Sequence, residues 1–392
     1  MNSELLNTEI QTFIDDNLTI DTSKILLKGT SFPNVNTHEI VEQIEAKLKS
    51  RKKLPTWFST KNIYFSNKLN IEQTSSEITA AYKTSVLKGR SIVDITGGFG
   101  VDTYYFSKVF ESVTHCEIST DLAAIVSHNV KKLKAPNIEV IPLDGIKYVE
   151  SSTKKYDWIY VDPSRRHDTK GKVFFLNDCL PNIPAHLNAL LKSTNQIAIK
   201  TSPLLDISIG ISELQHVKEV HIIAVKNEVK ELLWIIENGF IDDIKIHTVN
   251  LIDIPEHFSM AVSKEAKATV RFELPSLYLY EPNASILKSG AFNTVAQFFN
   301  IAKLHQHSHL YTSDTIINFP GRTFNIESVV NYNKKSLKNL AITKANITTR
   351  NFPESVQSIR KKYRIKDGGK VYLFFTTNYL EEKIVIVCSK VL

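Results

Sequence analysis

Between residues 88 and 240 the chain alternates short β-branched runs with amphipathic stretches, and few folds tolerate that texture. The runs are SIVDI (91–95), SVTHCEI (112–118), IEVIP (138–142), WIYVD (158–162), QIAIK (196–200), EVHIIAV (219–225) and ELLWIIE (231–237). Helical patterns such as DLAAIVSHNVKKLK and LPNIPAHLNALLKS separate the first five. Regular βα alternation implies a parallel, doubly wound α/β sheet that binds ligands at its strand C-termini. The last two runs stand too close for a crossover helix, so they are expected as an antiparallel pair closing the sheet.

The flanks read differently. Apolar residues at helical spacing, such as Ile40, Val41, Ile44 and Leu48 in EIVEQIEAKLKSRKK, predict a helical N-terminal unit over 1–75. Thr37 with Glu39 and Ile40 suits a helix start, and the basic KLKSRKK suits a helix C-terminus. The α/β domain is expected over 76–255. Two small α+β modules follow, over 256–320 and 321–392. In the second, VYLFFTT and KIVIVCSK predict a closing hairpin across NYLEE.

Composition narrows the class. At 392 residues the chain exceeds one ordinary core. Cys116, Cys179 and Cys388 are widely spaced with no CxxC pair, which argues against a disulfide framework or cysteine zinc site and for a reducing compartment. The polar, acidic N-terminus lacks the features of a signal peptide, and no apolar run approaches the roughly 20 residues of a membrane span. The expectation is a cytoplasmic protein with no membrane partner. A net charge of +7 fits a polyanionic partner without naming one.

Chemistry gathers at the strand ends. The first run leads into VDITGGFGVDT, where Asp94 precedes glycines spaced as Gly98-x-Gly100, a turn whose backbone can approach a ligand closely. Against D-x-G-x-G-x-G, Asp94, Gly98 and Gly100 match and Thr96 replaces the first glycine. No Gly-Lys-Ser/Thr follows, so this is no P-loop; a turn with no ligand is the alternative. HCEIS then places Glu117 where a carboxylate accepts from ribose hydroxyls, and IEVIPLDG delivers Asp144 to the same edge, placed to accept from an adenine amino group. Three carboxylates at three successive strand ends fit an adenosine-containing ligand.

With DITGGFGVD as the cofactor loop, CEIS as the ribose strand, PLDG as the adenine edge and VDPSRR as the catalytic turn, residues 70–240 resemble class I S-adenosylmethionine-dependent methyltransferases. The fold this implies is a seven-stranded, doubly wound Rossmann-like sheet. Members acting on exocyclic amino groups hold the nitrogen in a D/N-P-P-aromatic turn, which is catalysis by positioning. Asp162 and Pro163 match it, Ser164 replaces the second proline and Arg165 the aromatic residue. An arginine plane can stack on a base and meet a phosphate, whereas a solvated basic loop is the plain reading for one of Arg165 and Arg166. The resemblance gives catalytic roles to Asp162, Pro163, Ser164 and Arg165. It gives cofactor contacts to Gln73, Ser75, Asp94, Thr96, Gly98, Gly100, Glu117 and Asp144. Ser75 or Ser76 equally suits the cap of the helix EITAAYKTSVLK. Lys200 is either a surface charge or a substrate contact.

The full chain resembles a narrower group, bacterial class I methyltransferases with a ferredoxin-like module and a THUMP-like C-terminal domain. SLYLYEPNASILKSGAF and HLYTSD carry the first module; FPGRTF, ANITTRNFP and KDGGKVYLFFTT carry the second. The resemblance implies RNA as partner and methyl transfer to a nucleotide base. Physics concurs in part: Lys334, Lys335, Lys338, Lys344, Arg350, Arg360, Lys361, Lys362, Arg364, Lys366 and Lys370 face only Glu354 and Asp367 within that stretch, near aromatic residues available for base stacking. Competing readings are a methyltransferase for a protein or small molecule, a non-catalytic RNA-binding factor on a vestigial cofactor fold and, last, a nicotinamide enzyme. His305, His307 and His309 alternate in LHQHSHL but lack acidic or cysteine partners nearby, so no metal is expected.

Overall fold

The protein, here as a computed structural model, is described over residues 1–165 and 175–391. Arg166 lies outside the described residues, as does the side chain of Arg165. Two compact units emerge: Met1–Lys218 with Glu231–Ile241, and Glu219–Lys230 with Asp242–Leu392.

The first unit opens with α1 (Thr8–Asp16), α2 (Thr22–Lys28), α3 (Thr37–Lys53), α4 (Pro55–Ser59), α5 (Lys68–Gln73) and α6 (Glu77–Val86). Helix α3 starts where the sequence indicates: Asn36 caps it and Glu39 closes the capping box. Its buried face, Ile40, Val41 and Ile44, joins a cluster with Trp57, Phe99, Val101 and Ile125, so the helical segment shares one core with the sheet's own helices. Two buried amides fix the extended chain between α4 and α5. Gln43 pairs with both backbone groups of Phe65, at 2.6 and 2.9 Å. Asn129 does the same for Tyr64, at 2.9 Å twice.

The next strands are β1 (Ser91–Asp94), β2 (Ser112–Cys116), β3 (Ile138–Ile141) and β4 (Trp158–Val161), then the short β5 (Ser164–Arg165) and β6 (Cys179–Leu180), which pair with each other apart from the main sheet, and β7 (Gln196–Thr201), β8 (Val217–Val225) and β9 (Glu228–Glu237). Helices α7 (Val101–Phe106), α8 (Thr120–Lys132), α9 (Gly145–Ser151), α10 (Ile183–Leu190) and α11 (Ile207–Glu213) connect them. Strands β3-β2-β1-β4-β7 pair in parallel, and β9 runs antiparallel to β7. Ile92, Val93, Ile159, Ile197 and Ile199 are fully buried, each contributing about 1.5–3 kcal/mol of hydrophobic stabilisation. The chain winds outward from β1 through β2 to β3, then restarts on the other side at β4. That reversal makes a topological switch point at the carboxyl ends of β1 and β4, the place where open α/β sheets bind ligands. Lys226 and Asn227, both at positive φ, make the two-residue turn between β8 and β9.

In the second unit β8 pairs in parallel with β10 (Lys245–Leu251), which pairs antiparallel with β11 (Glu256–Ala261). After α12 (Val262–Lys267) a second sheet forms from β12 (Tyr278–Pro282), β13 (Ala302–Lys303), β14 (Tyr311–Ser313), β15 (Gly321–Asn331), β16 (Asn346–Arg350), β17 (Val371–Thr377) and β18 (Lys383–Lys390). Its order is β13-β14-β12-β15-β18-β17-β16. The β17–β18 pair is the closing hairpin legible in the sequence. Helices α13 (Ala284–Ser289), α14 (Phe292–Phe299), α15 (Lys334–Asn339) and α16 (Val356–Tyr363) complete the unit.

Candidate active site at the strand carboxyl ends

Asp94 ends β1 and is almost wholly buried. One carboxylate oxygen accepts from the Thr96 and Gly97 amides at 3.0 Å and the Thr96 hydroxyl at 3.1 Å; the other accepts from Thr103 at 3.0 Å. Asp94 therefore shapes the glycine turn from within. Burial pushes its carboxyl up to about 7 against the hydrogen bonds from Thr96 and Thr103, and Asp102 and Asp162 repel its charge. Since Thr103 donates to Asp94, its contact of 2.8 Å with His115 Nδ1 requires that nitrogen to donate. Burial drives the His115 pKa down to about 4, so the ring stays neutral.

Gly97, Gly98 and Gly100 all take positive φ, which L side chains rarely adopt. A Cβ at Gly97 would lie 2.5 Å from the Cys116 carbonyl, so the turn rests hard on β2. At Gly98 the space beyond is open, with only the Thr96 carbonyl within 3.9 Å. Glu117 secures the same turn, accepting from the Gly98 amide at 2.8 Å and the Ser119 amide at 2.7 Å. Asp144 caps α9 through the Lys147 amide at 3.1 Å. Gly145, next to it, approaches β1 so closely that a Cβ would stand 2.2 Å from the Ile95 carbonyl.

Thr96 occupies the position of a motif glycine, and its hydroxyl has its own task. It accepts from the Asp162 amide at 2.7 Å and so ties the β1 turn to the β4 turn. At that second turn Asp162 pairs with Lys200 from the end of β7, Pro163 is buried and Ser164 is exposed in β5. Burial raises the Asp162 carboxyl above its ordinary value although Lys200 opposes it. Burial likewise works against charged Lys200, but Asp162, Glu231 and Asp102 outweigh it and hold its pKa above the usual lysine range. Lys200 is a buried structural cation at the turn, and the surface-charge reading does not hold.

Below the turn lies a charge network that the sequence did not reveal. Fully buried Lys83 reaches Glu231 at 2.5 Å, Asp102 at 3.0 Å and Ser75 at 3.0 Å. Asp102 also accepts from Ser75 and Tyr160, each at 2.8 Å. Burial penalises its charge, but Lys83 and Lys200 prevail and hold its carboxyl low. Ser75 is thus committed within this network, while Ser76 caps α6 and Gln73 sits exposed at the end of α5. Periodicity could not have found Lys83, Asp102 and Glu231, because they come from three distant segments.

Two apolar residues were also missed. Ile118 is 71% exposed beside Glu117 and Leu143 is 55% exposed beside Asp144. Large apolar side chains held in water directly next to strand-end carboxylates offer faces for a flat ring, and their place immediately around those acids was a readable signal.

In the second unit, Lys334, Lys335, Lys338, Lys344, Lys361, Arg364, Lys366 and Lys370 are exposed. Arg350, Arg360 and Lys362 are drawn into ion pairs with Glu281, Asp367 and Glu354. Tyr332, Phe352 and Phe375 form mutual edge-to-face contacts, with Tyr363 beside them, in one hydrophobic cluster in which only Phe375 of the four is fully buried. This small layer uses those rings for its core while Tyr332, Phe352 and Tyr363 keep part of their surface exposed. His305 bonds Glu381 at 3.0 Å and His309 stacks on Phe292, so the three alternating histidines do not converge.

Residues 278–320 match a ferredoxin-like domain family and residues 321–390 a THUMP domain-like family. No curated protein matches the chain. A crystal structure from Porphyromonas gingivalis W83, provisionally named a methyltransferase, is 29% identical, with each chain covered over 100% and a TM-score of 0.90. A Streptococcus thermophilus rRNA methylase is 16% identical over 41% of this chain and 93% of its own, at a TM-score of 0.30. A provisionally named Streptococcus mutans methyltransferase in complex with SAH is 15% identical over 41% and 96%, at 0.31. Those two scores are too low to argue from. The full-length match establishes that the chain has the α/β methyltransferase-type fold of the Porphyromonas protein, followed by ferredoxin-like and THUMP-like domains.

Proposed function

We propose that the chain is an S-adenosylmethionine-dependent methyltransferase acting on a nucleotide base in RNA, with an exocyclic amino nitrogen as the favoured acceptor. The observation that carries this reading is the Asp162 turn, tied through Thr96 to the Asp94 and glycine turn at the sheet's switch point. One hydrogen-bonded assembly thus joins a nucleotide-type cradle to a carboxylate on a stiff turn.

The residues fit the cofactor. Glu117 and Asp144 offer carboxylates toward ribose and adenine, Ile118 and Leu143 offer apolar faces to the ring, and open space beyond Gly98 admits a ligand against backbone. When bound, the cofactor supplies an electrophilic methyl group. Asp162 then accepts from the amino group and orients its lone pair. Lys200, by lowering the Asp162 pKa against burial, keeps more of the carboxylate in its accepting form. The exposed cations of the second unit would hold phosphates, which position a substrate without selecting its sequence.

Calorimetric titration of S-adenosylmethionine should give micromolar binding that Asp94→Ala and Glu117→Ala lose. Labelled methyl transfer to RNA pools should follow in the wild type and vanish in Asp162→Ala. No binding of the cofactor with RNA either absent or present would sink the enzymatic reading; transfer to protein but not RNA would redirect the substrate.

A further inference from the structure

A second site lies in the other unit, outside the chemistry above. Glu219 and His221 occupy the same face of β8, two residues apart, and His247 of β10 is the register partner of His221. Three donor atoms therefore project from one patch. The Glu219 carboxylate oxygen lies 3.2 Å from His221 Nε2 and 3.7 Å from His247 Nε2, and all three ligand atoms fall within 4.8 Å of one another. We propose that Glu219, His221 and His247 bind a divalent transition cation of the zinc class, with a fourth position left for water.

Geometry supports this first. With metal–ligand bonds of about 2.0–2.2 Å, the edge of a tetrahedron is roughly 3.4 Å, and the separations of 3.2 and 3.7 Å bracket that value. All three ligand atoms lie within 4.8 Å of one another, and the two imidazoles now stack with centroids 4.6 Å apart, so metal binding requires the rings to turn from stacking to bring the third edge to bonding length. Donor chemistry follows. His247 Nε2 is buried with no hydrogen-bond partner, while its Nδ1 is held by Ser259 on β11 at 2.8 Å. A metal-bound histidine shows that same division, one nitrogen free for the ion and the other fixed by an outer partner. Glu219 supplies the negative charge that offsets Lys245. About a quarter of the Glu219 and His247 side chains remains exposed, so an ion can enter from solvent.

The full-length protein, stripped with chelator and then titrated with Co²⁺ and Zn²⁺, should bind one equivalent, with the intense visible absorption of a low-coordinate Co²⁺ complex. His247→Ala and Glu219→Gln should each weaken binding at least tenfold, whereas His257→Ala, which alters an exposed histidine on β11, should not. The circular dichroism spectrum of each variant checks that it is folded. The proposal falls if the wild type binds no Co²⁺, or if binding persists in folded His247→Ala and Glu219→Gln. It also falls if His257→Ala alone abolishes binding. None of these readouts uses S-adenosylmethionine, so they stand apart from the methyl-transfer reading.

Discussion

Asp162 and Asp94 sit within one hydrogen-bonded assembly yet answer to different experiments. Replacing Asp162 with Ala should lower turnover by about 100-fold or more while leaving cofactor affinity nearly unchanged in calorimetry, because positioning is lost and the cradle is not. Equal loss of both would refute that division of labour. Lys200 lowers the Asp162 pKa against burial, so Lys200→Met should move the acidic limb of the kcat/KM profile to higher pH. An unmoved limb would exclude Asp162 as the group titrating there. Asp94 carries a stability signature. Its folded pKa of about 7 stands above the ordinary 3.8, so across that window the native state holds a proton that the unfolded chain has released. Asp94 thereby makes stability fall as pH rises through the window, and Asp94→Asn should remove that contribution, as urea midpoints at pH 5 and pH 8 would show.

Elements are joined here by close approaches more than by long contacts. Helix α9 begins with Gly145 pressed on the Ile95 carbonyl that follows β1, and that neighbour is backbone, which cannot step aside. Gly145→Ala should cost about 1–3 kcal/mol or more in denaturant unfolding and weaken cofactor binding through the displaced turn. Helix α6 is tied to α7 and β9 by Lys83, whose neighbours Asp102 and Glu231 are also buried. Lys83→Met strands two buried carboxylates, so a loss of about 3–5 kcal/mol is expected in the same measurement. A small loss would mean that water reaches the network.

For the whole molecule, the test concerns polyanions. Lys334, Lys335 and Lys338 lie exposed on and beside α15, so a triple change to Glu should reduce the slope of log affinity against log salt for RNA by roughly one per lost phosphate contact. An unchanged slope would place the RNA path elsewhere. Phe375, fully buried among these rings, should act on stability when replaced by Ala, with little effect on the salt slope.

Much of this was legible in the chain. The period of β-branched runs announced the sheet, Thr37 with Glu39 and Ile40 announced the start of α3, and the acids at Asp94, Glu117, Asp144 and Asp162 were visible because each ends a strand or follows one closely. Such features are local: one strand or turn specifies them, and nearby residues suffice to read them. Other features were decided by tertiary structure. Ser75 belongs to a buried network, Thr96 bridges two turns, Lys200 answers Asp162, and His247 meets Glu219 and His221 across paired strands. Each depends on residues that chain order holds apart and sheet register brings together, and charge pairing in a buried site is a property of that meeting, not of either partner's neighbours in sequence.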